Sequence, residues 1–322
     1  MKVPSGKPDP DGIRDFGGGP FVSLRHMVEW GESRLRSTGV PNARNNAEWI
    51  LCDAADCDRL QIYVGAPEGV PFSVAEKYVS NLRRRASREP LQYVLGATEF
   101  MSLPFRTPPG VFIPRPDTEV LVEEMESRLR GMPLSPCLNV VDLCCGSGVI
   151  AIALAHRIPN LEAWAVDASE PAADVTASNA EANGVGRRVH VVKDTAEDFL
   201  AASVTADHRS QKAPRRAPDR FSAVVCNPPY ISSSDLRDLP PEVRDHEPIE
   251  ALDGGPDGLD FYRNVIPMLP QRLVPDGVAA FEIGEAQAGA VRALMEAAGL
   301  TDVSVVTDYA GLDRVVIGTC AG

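Results

Sequence analysis

The sequence predicts a doubly wound α/β fold, an open and mostly parallel sheet with helices on both faces. Three observations predict it. After Met132, short apolar runs alternate with helical stretches, the rhythm of strand–helix–strand units. The first of these runs opens into a glycine turn, Asp142-Leu-Cys-Cys-Gly146-Ser-Gly148. A later one, FSAVVC, stops at Asn227-Pro228-Pro229-Tyr230, and proline ends a strand because it has no N–H for the ladder and a fixed φ.

Residues 1–20, rich in Pro, Gly and Asp, are expected to form a disordered tail. Residues 21–89 carry helical spacing. Val22, Leu24, Met27, Val28 and Leu35 share one face, and Ala47, Ile50, Leu51, Ala54 and Ala55 another. A third helix starts near Ser73 and runs through Tyr78 and Leu82 into Arg83-Arg84-Arg85. That basic run is expected to be a solvated helix end, with cations near the negative end of the helix dipole. Residues 90–113 alternate short β-prone runs with Gly and Pro, as a hairpin connector would. Residues 114–322 then form the α/β domain, where Asp117 or Thr118 can cap the first helix.

Within this last region CLNVVDL reads as a buried strand and GVIAIALAHRI as a helix. EAWAVDAS, RVHVVKD, FSAVVCN and GVAAFEIG follow as strands, and SVVTDYAGLDRVVIGT closes the chain as a strand pair. Residues 204–220, polar, basic and Pro-containing, read as a flexible surface insertion.

The net charge of −13 counts against binding to a nucleic-acid backbone. No apolar run is long enough to span a membrane, and the first residues lack the apolar core of a secretory signal, so a cytoplasmic location is expected. The seven cysteines are irregularly spaced, with no CxxC or HxxxH pair, which points to free thiols and to no metal site.

Gly146, Gly148 and Ala151 satisfy G-x-G-x-x-G/A, where glycine permits a tight turn and close approach of a ligand to the helix N-terminus. Asp167 ends the second strand about 20 residues on, where a carboxylate can accept from both ribose hydroxyls. Loop and carboxylate suit either NAD or S-adenosylmethionine. Two details favour the latter. Asp142 would repel a pyrophosphate but could hold the ammonium of a methionine moiety, and Asp194, ending the third strand, could accept from an adenine amino group. Either carboxylate could instead cap a helix.

An [N/D/S]-P-P-[Y/F/W] tetrapeptide after the fourth strand resembles the site of S-adenosylmethionine-dependent methyltransferases acting on planar nitrogens: adenine N6, cytosine N4 or a glutamine amide. REPLQYVLGATEF, IPRPDTE, ALDGGPDGLDFY, FEIGEAQ and DRVVIG are, in that order, similar to landmarks of the HemK/PrmC family, the release-factor glutamine N5-methyltransferases. The resemblance runs from about Val22 onward. It implies a Rossmann-like class I methyltransferase sheet with a small helical N-terminal domain that docks substrate, and a β-hairpin connector. It also implies S-adenosylmethionine as cofactor, the Gly-Gly-Gln glutamine of class 1 peptide release factors as substrate, and catalysis by Asn227, Pro228, Pro229 and Tyr230. Asn227 and Pro228 would hold the amide, with Asn227 also among the cofactor-binding residues, Tyr230 would wall the slot, and Phe100 would form its opposite wall. Cys144 and Cys145 stand where the family commonly has Thr or Gly. The competing readings are a paralogue methylating another protein or a metabolite, an adenine N6 nucleic-acid methyltransferase, an NAD-dependent oxidoreductase and a silent binding module.

Overall fold

The computed structural model describes residues 23–64, 70–132, 137–202 and 216–322, and the chain divides into two units between Leu95 and Gly96. The tail at 1–20 and most of the 204–220 insertion lie outside the described residues.

The first unit is helical. Ser23 caps α1 (Leu24–Ser37) by accepting from the His26 N–H, and α1 buries Leu24, Met27, Val28 and Leu35 against Ala47, Ile50 and Leu51 of α2 (Ala43–Ala55). A short α3 (Arg59–Tyr63), closed by a capping box between Asp58 and Gln61, precedes α4 (Phe72–Ala86). Tyr78 of α4 is fully buried and donates to the Met27 carbonyl of α1 at 3.0 Å. The basic run at the end of α4 is less solvated than its composition suggests. Arg85 is buried, donating to Asn46 Oδ1 at 2.7 Å and to the Glu89 carbonyl. Arg84 pairs with Glu89 and donates to the Tyr93 and Val94 carbonyls of α5 (Leu91–Leu95). Both guanidiniums staple the end of this unit, a use of arginine's fixed fork that charge counting does not separate from solvation.

The second unit opens with the antiparallel hairpin β1 (Ala97–Phe100) and β2 (Leu103–Arg106) and then α6 (Thr118–Gly131). Asp117 precedes α6 but its side chain does not cap it; it reaches Arg314 at 3.5 Å instead. Next come β3 (Leu138–Leu143), α7 (Val149–Arg157), β4 (Leu161–Asp167), α8 (Glu170–Ala182), β5 (Val189–Lys193), α9 (Ala196–Ala201) and β6 (Phe221–Cys226). The unit ends with α10 (Pro241–Arg244), α11 (Asp260–Val265), β7 (Leu273–Glu282), α12 (Ala288–Ala297), β8 (Leu300–Thr307) and β9 (Asp313–Cys320).

These strands form a seven-stranded sheet in the order β5-β4-β3-β6-β7-β9-β8, parallel except for the pairings of β9 with β7 and β8. Side chains alternate between its faces, as the pleat requires. Val140, Ala163, Val225 and Ile317 enter the core under α6 and α7, while Val141, Trp164, Val224 and Phe281 enter the core under α9, α11 and α12. Burial on both faces is why these strands read as near-continuous apolar runs. The strand order reverses between β3 and β6, and in doubly wound sheets ligands bind beyond the strand C-termini at that switch point. Among the described residues, no helix is long and apolar enough to cross a membrane.

Candidate active site

A cavity of about 770 Å³ opens at the switch point, within the size range of small-molecule sites. One side is built from the turns after β3, β4 and β5: Cys144, Gly146, Asp167, Ser169, Asp194 and Thr195. The other is built from Asn227-Pro228-Pro229-Tyr230 after β6, with Phe112, Arg115, Leu239, Val243 and Leu252. The sequence-predicted residues on both sides thus meet in one space.

The glycine turn bends as expected, with positive φ at Gly146 (57°) and Gly148 (82°). Only Gly146 faces the cavity. At Gly148 a Cβ would come within 2.7 Å of the Thr176 side chain, so this glycine serves the packing of α7 against α8. Asp167 accepts from the Gly146 N–H and the Ser169 N–H, both at 2.9 Å, and so holds the turn against its own strand end. Burial raises its carboxyl above the ordinary value, opposed by those two N–H groups. Asp194 accepts from the Thr195 N–H at 2.9 Å at the start of α9.

Two expectations change. Asp142 is fully buried behind the turn and does not line the cavity; its Oδ2 accepts from the Ala151 N–H at 3.0 Å, capping α7 from the neighbouring strand. Burial pushes its carboxyl up to about 8, and through the Ala151 N–H it anchors the loop. Phe100 is also absent from the cavity. It points into the core, edge-on to Phe105 with ring centroids 6.2 Å apart, because the β1–β2 hairpin turns its apolar face inward. The aromatics on the wall are Tyr230, Phe261 and Phe112, the last stacked under the Arg115 guanidinium at 4.7 Å.

The Asn-Pro-Pro-Tyr turn is held from several directions. Ile231 bonds Leu252 and Gly254 through its backbone, at 3.0 and 2.8 Å. Gln287 Nε2 donates to the Tyr230 carbonyl at 2.9 Å and to the Gly258 carbonyl at 3.1 Å, while its Oε1 accepts from the Gly284 N–H. Gly258 has φ +75°, and a Cβ there would lie 2.3 Å from the Tyr230 carbonyl oxygen, which is why GGPDG takes glycine at this point. Burial, then the Glu282 charge, pushes the Tyr230 hydroxyl up to about 12, so it stays neutral. Arg115 pairs with buried Glu247 at 2.6 Å, and Glu247 also accepts from the Ile113 N–H, so the segment before α6 is tied to the loop after Tyr230.

Asn227 Nδ2 donates to Thr118 Oγ1 at 3.2 Å, leaving its Oδ1 to the cavity that Asn227 lines. Thr118 in turn bonds buried Glu282, whose carboxyl burial pushes up to about 7. From the sequence Thr118 was a helix-cap candidate only, and Glu282, Gln287 and Asn179 carried no expected role. Asn179, on α8, accepts from the Arg106 N–H and donates to the Arg106 and Ser147 carbonyls, joining the hairpin to the glycine turn. The only signal available was that Thr118, Glu282 and Gln287 fall inside the quoted landmarks IPRPDTE and FEIGEAQ. Among the described residues, no cluster of His, Cys, Asp and Glu could hold a metal ion.

Residues 26–96 match the PrmC N-terminal domain and residues 102–239 the methyltransferase small domain. The chain is 40% identical over 296 residues to a protein of Geobacter sulfurreducens named release factor glutamine methyltransferase, covering 92% of this chain and 96% of that one. Proteins of the same name from Moorella thermoacetica (39% identical, 91% and 97% covered) and Thermodesulfovibrio yellowstonii (34%, 84% and 90%) are similar over comparable lengths. With both domains matched in order and relatives aligned nearly end to end, this chain belongs to the release factor glutamine methyltransferase family.

Proposed function

We propose that this protein methylates the side-chain amide nitrogen of a glutamine, that of the Gly-Gly-Gln motif in class 1 peptide release factors, with S-adenosylmethionine as methyl donor. The observation that carries the reading is the Asn-Pro-Pro-Tyr turn, fixed at the sheet's switch point with the Asn227 Nδ2 engaged by Thr118. Membership of the family supports the substrate.

The residues fit the cofactor. Gly146 lets a ligand approach the backbone, Asp167 has a cavity-facing carboxylate at the end of the second strand, and Asp194 has one at the end of the third. Asp167 would hold the ribose hydroxyls, and Asp194 the adenine amino group. When bound, S-adenosylmethionine supplies an electrophilic methyl on a sulfonium sulfur.

The chain's own residues must make an amide nitrogen nucleophilic. Its lone pair is delocalised into the carbonyl, the same conjugation that gives amides a rotation barrier of ~18–20 kcal/mol. Asn227 Oδ1 and the Pro228 carbonyl are two acceptors for the two amide hydrogens. Pulling both N–H bonds out of the amide plane favours a pyramidal nitrogen and turns its lone pair away from the carbonyl. Pro228 and Pro229 have no N–H to compete and restrict the rotation of that carbonyl. Tyr230, neutral and largely buried, packs against the substrate side chain and excludes water. Asp142 caps α7 and so holds the glycine turn in place. The helical unit, residues 21–95, docks the protein substrate, and a substrate of the translation machinery places the work in the cytoplasm.

The test is transfer of labelled methyl to purified release factor, to its Gln→Ala variant and to DNA. Label on the wild-type factor alone is expected. Label on DNA, or equal label on the Gln→Ala variant, would refute the reading.

A further inference from the structure

Thr118 is buried at the first position of α6, with Asn227 on one side and Glu282 on the other. A threonine hydroxyl has one proton to give and two lone pairs to receive with. The Thr118 bond favours the ionised form of Glu282, and an ionised carboxylate can only accept, so the hydroxyl proton goes there. Thr118 Oγ1 is then left as an acceptor, and an acceptor can meet the NH₂ of Asn227 but not its carbonyl oxygen. The polarity of one buried carboxylate, passed through one hydroxyl, therefore sets which end of the Asn227 amide faces the cavity.

Resting on the function proposed above, we infer that Thr118 and Glu282 are positioning residues that hold the Asn227 amide with Oδ1 toward the substrate nitrogen. Without them both amide orientations become available, and the reversed one presents NH₂ to a substrate NH₂, donor against donor. Glu282 is itself held in place at the end of β7, where its carbonyl accepts from the buried Tyr262 hydroxyl at 2.7 Å and its register partner is Val315 of β9. Arg314, Arg115 and Asp117 are the charged groups that act on it, and Tyr230 lies close by.

The decisive variants are T118V, which keeps the shape and loses the hydroxyl, and T118S, which keeps the hydroxyl; E282Q can turn either end of its amide toward Thr118. In the full-length protein, kcat on release factor should fall about 10–100-fold in T118V and by a smaller factor in E282Q, and stay within about threefold of wild type in T118S. The Kd for S-adenosylmethionine should hold within threefold in all of them. In protein labelled with 15N-asparagine, with the Asn227 side-chain signal assigned from its loss in N227D, that NH₂ should be protected from solvent exchange in wild type and T118S and exchange freely in T118V. Unchanged kcat in T118V, an equal loss in T118S, or unchanged Asn227 exchange in T118V would overturn the inference. If the wild type transfers no methyl to a release factor, the functional reading fails, and the exchange measurement still decides the role of Thr118.

Discussion

Replacing Gly258 with alanine perturbs the active-site turn while leaving every side chain proposed to meet substrate in place. Gly258 sits at φ +75°, where a side-chain-bearing residue is strained by roughly 1–2 kcal/mol. The new methyl would lie 2.3 Å from the Tyr230 carbonyl oxygen and 2.6 Å from Gln287 Nε2, where ordinary contacts begin at 3.4 Å. Relief needs about 1 Å of movement between the 254–258 loop and the Asn-Pro-Pro-Tyr turn. The movement also stretches the two bonds that Gln287 makes to Tyr230 and Gly258, worth about 1 kcal/mol each. A total near 3 kcal/mol should lower Tm by about 6–12 °C in a unit of this size, and a misplacement of about 1 Å should cost about 100-fold in kcat. The assay is saturating turnover on release factor beside calorimetric melting. Gly299 has a similar φ of +89° but nothing within 4 Å, so G299A carries strain alone and should keep kcat within about twofold. If G258A turns over within threefold of wild type, the clash does not reach the turn and the reasoning about its support is wrong.

Removing the Asp167 carboxylate in D167A deletes the acceptor of two backbone N–H groups and the proposed ribose partner; calorimetry should show the cofactor Kd rising by about 10–100-fold, and a change below twofold would remove Asp167 from the binding site. Asp142 gives a pH signature. Burial raises its folded-state pKa to about 8 against an unfolded value near 3.8, so the folded protein binds the extra proton between those values. Its stability contribution is fully present at low pH and declines as pH rises toward 8. Wild-type Tm should therefore fall more steeply between pH 5 and pH 8.5 than that of D142N, and parallel curves would contradict this ionisation.

The strand pattern was legible because strands buried on both faces must be apolar throughout, and the site was legible because glycine turns and double prolines are local signals. What escaped were side chains whose partners lie far along the chain. Thr118 meets Asn227 109 residues later, and Gln287 reaches back 57 residues to Tyr230; neither has a periodicity to betray it. Phe100 illustrates the converse. An aromatic in a short hairpin can face core or cavity, and only the packing against Phe105 decides. Asp142 stands just before the glycines, where a carboxylate can hold a ligand's ammonium or cap a helix, and its depth within β3 puts it on the Ala151 N–H of α7. Arg85 looked like part of a solvated basic run, but its neighbours Asn46 and Glu89 give a buried guanidinium enough acceptors to stay inside.

In the proposed mechanism Asn227 Oδ1 and the Pro228 carbonyl together activate the substrate amide. N227A removes the first acceptor and leaves the glycine turn, Asp167 and Asp194 untouched. Single-turnover methyl transfer to release factor, measured beside the cofactor Kd, separates chemistry from binding. A rate at least about 100-fold lower, with Kd within about threefold of wild type, is expected. Transfer by N227A at a rate within fivefold of wild type would contradict it.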